Sequence, residues 1–575
     1  MIKFLKNNGL LILCLISISI LAFWLRIIGI EKQGGLWNDE IVTYELVIKP
    51  INEVFMHSLP RPLYHVLLHC WISLFGDADT TLRFLSVIFG VCAVIAMYFA
   101  GRETENFYKK QTPVNLSLTG ITASLLTAVN SFLIFYSQEV RQYSLLALIA
   151  TLSALFTVRL ITKPQKKEFL LFFAVNCLFL MTHFISIIIV ISEIILISIY
   201  FFLYKKESLE KFLSAFKKFS PFLLIILILL LLTFFDLTIY SKHTALNTYD
   251  VYNFDLQVIF VILQNYFSPV LTGIYNNPPE YLSKLLENIT LGKIVYIFAP
   301  TLLCLGFIIK AGAKEAKKLD PIKILILVPV IFLTIVFITS VLQTYIIISR
   351  YTLLCLPFLI LAISAGVSSF QKKSVSAAFI AVILGINLLY IFASPNSAPK
   401  ADRPEGIKKL ADLFNGINLK ENDYIIFPVF NNTINKYNKN KFQKYSIESA
   451  FLTKEKLHYF LDKKSLQSLS YNNSKEVIKD YLISKTIPAN LEKYVLNEFI
   501  GKLKKDDYFI IAHSQSLAFY NQKMIDKIIK DPVLYKNTSL KFLLFSKISL
   551  DLAQISEKHL EFYQIRENSP WTILI

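Results

Sequence analysis

The sequence contains no Walker loop, no Gly-x-Gly-x-x-Gly turn and no serine-centred elbow, so ATP-driven transport and hydrolase chemistry lose their usual marks. Its six cysteines (Cys14, Cys70, Cys92, Cys177, Cys304 and Cys355) lie in or beside apolar stretches. None has the paired spacing of a zinc site or the loop placement of a disulfide framework, which leaves them as small core residues. Charge is scarce too, at 17% of 575 residues, and there is no internal repeat. The basic excess, a formal +18, sits mostly in short connections between apolar runs. In that position it reports topology rather than a nucleic-acid partner.

Long apolar runs are what the chain has in abundance. Hydrophobic residues make up 54% of it and aromatic residues 14%. The runs of roughly 20 residues match the thickness of a bilayer core. About eleven spans are expected, near 9–30, 81–101, 117–135, 143–162, 169–182, 184–204, 219–240, 290–310, 322–341, 350–369 and 374–393. The stretch 169–204 is split at Thr182-His183, because a polar pair suits an interface better than hydrocarbon. Lys3 and Lys6 before the first run, with no small-x-small cleavage site after it, read as a retained signal anchor.

Alternate connections are basic: Lys3/Lys6, Arg102/Lys109/Lys110, Lys163/Lys166/Lys167, Lys205 to Lys218, Lys310 to Lys323, and Lys372/Lys373. Placed together on the cytoplasmic side, they put segments 31–80, 136–142, 241–289, 342–349 and everything after about 394 outside. The expectation is a multi-pass protein of a prokaryotic inner membrane, its N-terminus cytoplasmic. A proline-rich connection, Ser394 to Pro399, separates a membrane domain, 1–394, from an extracytoplasmic domain, 395–575. In the latter, Gly406–Phe414 and Met524–Ile529 read as helices, and Asp423–Pro428, Tyr508–Ala512 and Lys541–Phe545 as strands, which suggests an α/β fold. The outer loop 31–80 carries helical spacing at 41–48 and 51–57 and a short apolar stretch from Pro62 to Phe75. These are expected to lie in the interface plane.

Chemistry is sought first at Asp39-Glu40, just beyond the first span. A carboxylate there suits a general base or a divalent-metal ligand, and equally a cap on a helical first turn. Arg26, Arg61, Arg83, Arg141 and Arg350 fall at outer ends of spans, where a forked guanidinium binds a lipid-linked phosphate or simply snorkels to headgroups. His57, His65, His69 and His183 fall near the same face without zinc-motif spacing, and Glu193 lies within a span. Asp77-Ala78-Asp79 has the spacing of a nucleotide-sugar metal site but lies on the side away from nucleotide sugars, and is set aside.

Six stretches taken together resemble the membrane-embedded glycosyltransferases of the protein-mannosyltransferase and aminoarabinose-transferase type. They are Leu36–Glu40, Arg61–His69, Phe75–Asp77 with Leu82–Ser86, Tyr136–Ser144, Thr182–Phe184 and Ser349–Leu354. The resemblance covers roughly residues 10–390 and implies a GT-C fold. It also implies transfer of a sugar from a polyprenyl-phosphate donor to an extracytoplasmic acceptor: a lipid, a cell-envelope glycan or a protein. Asp39 then inherits the role of base, with Glu40 beside it, and Arg83 and Arg350 are associated with the donor phosphate. Gln138, Glu139 and Arg141 border the same cavity, Arg141 toward the phosphate, and Arg61, Tyr64, His65, His183 and Tyr351 are expected to line it. One departure is Arg61-Pro62, where many relatives have Pro-Pro. No cofactor is specified, a divalent metal is left open, and membrane lipid is a partner. A flippase of lipid-linked sugars and a non-catalytic assembly subunit are the competing readings.

Overall fold

The computed structural model describes residues 2–30, 35, 36, 38–108, 117–244, 262, 266, 267, 291–313, 319–343 and 349–393, and after them only seven strands. The chain divides into two units. The first comprises Met1–Lys32, Thr43–Leu237 and Tyr249–Ala401, and the second Gln33–Val42, Thr238–Thr248 and Asp402–Ile575.

The first unit is helical. Helix α1 (Ile2–Ile27) is followed by short helices α2 (Asn38–Val47), α3 (Ile51–Ser58) and α4 (Leu63–Phe75), and these by α5 (Asp79–Tyr108), α6 (Leu118–Val129), α7 (Ser131–Tyr136) and α8 (Tyr143–Thr162). Then come α9 (Lys166–Leu180), α10 (Ser186–Tyr204), α11 (Lys206–Thr244), α12 (Leu291–Ala313) and α13 (Pro321–Gln343). A 3-10 turn (Ser349–Cys355) leads into α14 (Leu356–Ser368), and α15 (Lys373–Ala393) closes the series. Every one of the eleven apolar runs carries helix, and six helices among the described residues are long and apolar enough to cross a membrane. Among the described residues, the stretches Leu118–Val129, Thr301–Ala313 and Lys373–Leu389 in three further runs are apolar but shorter.

The run near 117–135 is not one span. Asn130 breaks it: its side chain caps α7 by accepting from Leu133 N at 3.0 Å and donates to the Tyr266 carbonyl at 2.7 Å. An asparagine that finds both partners outside the regular ladder stabilises the interruption. The chain also leaves helix over residues 181–185, between α9 and α10, where the Thr182-His183 pair sits.

Helices α5 and α6 cross at glycine. A Cβ on Gly101 would stand 2.8 Å from Gly120 Cα, and one on Gly120 would stand 2.7 Å from the Tyr98 carbonyl, so the two backbones touch directly. Ile18, Ala22, Val94 and Ala128 form a core where α1, α5 and α6 meet. In apolar surroundings such close approach replaces the hydrophobic effect as the source of helix association.

Arg26 locks this junction. It is fully buried, and its guanidinium donates to the carbonyls of Ala22 (3.1 Å), Ala128 (3.0 Å) and Thr127 (3.0 Å) and to Ser137 Oγ (3.2 Å). Thr127 and Ala128 are in the last turn of α6, where carbonyls lack partners within the helix, so the cation caps them and meets the negative end of the helix dipole. Gly90 leaves the room: a Cβ there would be 2.7 Å from Arg26 Nε.

A second buried polar set joins α8, α9 and α10. Ser153 and Thr157 donate to the two carboxylate oxygens of Glu193 at 2.6 and 2.7 Å, and Ser153 also approaches Asn176 Oδ1 at 3.1 Å. Each of the four side chains is fully buried.

The strands of the second unit are β1 (Tyr424–Phe427), β2 (Gln443–Ser446), β3 (Tyr508–Ala512), β4 (Lys541–Lys547), β5 (Leu550–Leu552), β6 (Phe562–Ile565) and β7 (Trp571–Leu574). They form one mixed sheet in the order β2-β1-β3-β4-β7-β6-β5, parallel from β2 to β4 and antiparallel beyond. The helices expected at Gly406–Phe414 and Met524–Ile529 lie outside the described residues.

Candidate functional site

Three arginines from three connections converge on one buried histidine. His183 sits in the break between α9 and α10, 2% exposed. Its ring lies 4.9 Å from Phe184, 5.2 Å from Tyr351 and 6.2 Å from Tyr143, centroid to centroid. Its Nδ1 accepts from the Ile185 backbone at 3.3 Å, which assigns the ring proton to Nε2. Burial drives its pKa well below the usual 6.5, and the charges of Arg61, Arg141 and Arg350 press it further down. The imidazole is therefore neutral, held as a hydrogen-bond donor in a positive field.

Each arginine is laid on an aromatic face. Arg61, just before α4, has its Cζ 5.6 Å from the Phe184 ring; Arg141, before α8, is 6.0 Å from Tyr143; Arg350, in the 3-10 turn, is 5.6 Å from Tyr351. Such stacking holds a planar guanidinium in place while leaving its edge able to fork onto an oxyanion. Arg141 also donates to Thr43 Oγ1 at 3.1 Å, which ties it to α2. Burial lowers the Arg61 pKa, Arg141 adds to the effect, and the phenols of Tyr351 and Tyr143 oppose it. The start of α4 is docked on the end of α9 through Leu63 N and the Met181 carbonyl, 3.3 Å apart.

His65, in the first turn of α4, joins the group. Burial lowers its pKa to about 4, with the charges of Arg141 and Arg61 pushing the same way against a backbone hydrogen bond at Arg61. Two neutral imidazoles thus stand among three guanidiniums. What this arrangement can do is receive an anion. Three fixed positive charges in a partly desolvated cluster raise the affinity for a phosphate, and neutral imidazoles add hydrogen bonds without further repulsion among cations.

The other expected residues have their own surroundings. Arg83 is fully buried in the second turn of α5, with Nη1 reaching the Ile30 carbonyl at 3.5 Å. Tyr64 is buried with its hydroxyl 3.2 Å from Ser86 Oγ. Gln138 holds the end of α1, donating to the carbonyls of Arg26 (3.0 Å) and Ile28 (2.9 Å), and Glu139 beside it is buried. Asp39 and Glu40 occupy the first turn of α2, Asp39 half-buried and Glu40 fully buried, within the Gln33–Val42 segment of the second unit. Asp77 accepts from the Tyr44 hydroxyl at 2.6 Å; burial and this carboxylate raise the phenol's pKa. Among the described residues no three His, Cys, Asp or Glu side chains gather to hold a metal ion. Tyr143 and Phe184, the platforms under Arg141 and Arg61, were not among the expected site residues. Their sequence signal is membership of the stretches Tyr136–Ser144 and Thr182–Phe184, next to or two residues from a named site residue.

No family model matches the chain, and no curated protein does. Among solved structures it is similar to ArnT from Cupriavidus metallidurans in two crystal structures. One is bound to undecaprenyl phosphate (TM-score 0.43, 12% identity) and the other is the apo state (TM-score 0.44, 11% identity). Both matches cover 76% of this chain and 86% of the other. A superposition this loose equates no residue of one chain with a residue of the other, so the site stands on its own geometry.

Proposed function

We propose that this chain is an inverting glycosyltransferase that moves a sugar from a polyprenyl-phosphate donor to an extracytoplasmic lipid, glycan or protein. The observation that carries the reading is the convergence of Arg61, Arg141 and Arg350 around neutral His183. A lipid phosphate, a diester before transfer and a monoester after it, fits that charge, and a donor dissolved in the membrane fits the surrounding apolar helices.

The chemistry follows from what each partner needs. The bond between the anomeric carbon and the phosphate oxygen breaks, and its electrons leave with the polyprenyl phosphate, whose growing charge the guanidiniums stabilise. The acceptor hydroxyl attacks the anomeric carbon from the opposite face, and its proton passes to a carboxylate. Asp39, with Glu40 next to it, is the proposed base, and one displacement inverts the anomeric centre. Arg83 keeps its proposed phosphate role on the sequence resemblance alone. His65 and His183, both neutral, are proposed to hydrogen-bond sugar or phosphate oxygens. The membrane domain is read as inner-membrane, with this end of the helices outside.

Binding of polyprenyl monophosphate by purified protein tests the phosphate assignment. Arg141→Gln/Arg350→Gln should bind at least about ten-fold more weakly than wild type, since each charge-assisted hydrogen bond contributes about 1.5–3 kcal/mol. Polyprenol, which lacks the phosphate, should bind both proteins alike. Equal affinity of wild type and variant for the phosphate lipid would remove the assignment.

A further inference from the structure

At the other end of α9 from His183 lies a cavity of about 410 Å³ between α9 and α11. The 15 residues of α9 rise roughly 22 Å, so this cavity is remote from the arginine cluster. Lys166, Lys211 and Lys218 line it, with Glu210 the one acidic residue, leaving a net positive lining. Phe169, Leu170, Ser214 and Ala215 make up the rest.

The walls are fixed. Phe169 packs on Phe212 at 5.9 Å and on Phe201 at 6.3 Å, and Phe173 stacks on Phe212 at 5.6 Å and Phe219 at 5.4 Å. Phe212, Phe216 and Phe219 thus turn one side of the first part of α11 inward, while Lys206, Lys211, Lys217 and Lys218 are exposed. An amphipathic stretch of this kind belongs at a headgroup boundary.

Two features call for an anion there. Lys166, which lines the cavity, opens α9 at the end where the helix dipole disfavours a cation. Glu168, which would offset it, is buried and pairs instead with Arg159 at 3.9 Å. Next to the cavity the apolar surface is bare: Ala174 and Leu178 on α9 and Leu213 on α11 are exposed. An acyl chain has a path along this surface, which a soluble phosphate has no use for.

We propose that this cavity binds the phosphate-bearing headgroup of an anionic membrane lipid, its lysines gripping the phosphate while the acyl chains follow the exposed face of α9. The site is independent of the catalytic reading and of the donor.

The test uses the full chain in detergent, titrated with short-chain phosphatidylglycerol and read by native mass spectrometry. Lys166→Gln/Lys211→Gln/Lys218→Gln is compared with Lys167→Gln/Lys206→Gln/Lys217→Gln, which removes the same charge from exposed lysines that do not line the cavity. The lining variant should bind at least about five-fold more weakly and the control within about two-fold of wild type, with phosphatidylcholine bound weakly by all three. Equal losses in the two variants would mean diffuse attraction, and no loss in either would mean no site. Lysine-dependent binding of inorganic phosphate tighter than that of the lipid would mean a soluble ligand. Each of these three results overturns the proposal.

Discussion

Arg26 and Arg141 show how one residue type at similar sequence positions meets two ends. Both sit where an apolar run gives way to a loop, and the sequence treats them alike. Arg26 is consumed by three carbonyls and a serine, whereas Arg141 lies over Tyr143 among other cations. The distinction depends on the break at Asn130, which presents the last carbonyls of α6 to Arg26. No spacing rule for spans registers such a break. The Arg61, Arg141 and Arg350 positions were legible as motif residues; their convergence on His183 is a property of packing.

The same scale carries a pH prediction. His65 titrates near 4 in the fold against 6.5 ordinarily. Between those values the unfolded chain takes up a proton that the folded chain refuses, so stability is full above pH 6.5 and declines as pH falls toward 4. His65→Gln removes that contribution. Its thermal midpoint should fall less steeply than wild type from pH 6.5 to 4, measured in detergent. An identical slope would mean that His65 is not held neutral.

Among the elements, the long apolar helices were legible because hydrophobic length alone specifies them. The helix break between α9 and α10 followed from one polar pair, Thr182-His183. The direct backbone contact of α5 with α6 was not legible, since a glycine in an apolar run reads the same whether it faces lipid or another helix. Gly120→Ala should lower stability by about 1–3 kcal/mol through overpacking, because its Cβ would stand 2.7 Å from the Tyr98 carbonyl. Gly385→Ala, with nothing within 4 Å of its Cβ, should be neutral or slightly stabilising. Thermal melts of both variants decide, and equal midpoints would contradict the close crossing. Glu193 makes a parallel case. Glu193→Leu strands the hydroxyls of Ser153 and Thr157 and should cost about 1–3 kcal/mol, with Glu193→Gln costing less. A Leu variant as stable as wild type would mean those hydroxyls find other partners.

For the whole molecule, composition separates an apolar part from a polar part at one point in the chain, whereas the two contact units are drawn otherwise, the second taking in Gln33–Val42 and Thr238–Thr248 as well as Asp402–Ile575. Strands at Tyr424–Phe427, Tyr508–Ala512 and Lys541–Lys547 fall where short β-branched and aromatic runs marked them. The remaining four strands gave weaker patterns, and sheet order is set by pairings distant in sequence that periodicity does not encode. Asp39 is the residue on which the proposed reaction depends, and its assignment comes from sequence.

Transfer of radiolabelled sugar from a panel of polyprenyl-phosphate donors into membranes, wild type against Asp39→Asn at matched expression, is therefore the most direct measurement. Label should move with wild type and fall by about 10²–10⁴-fold with the variant, in a product of inverted anomeric configuration. Transfer that is unaffected by the substitution, or absent with every donor, would contradict the glycosyltransferase account.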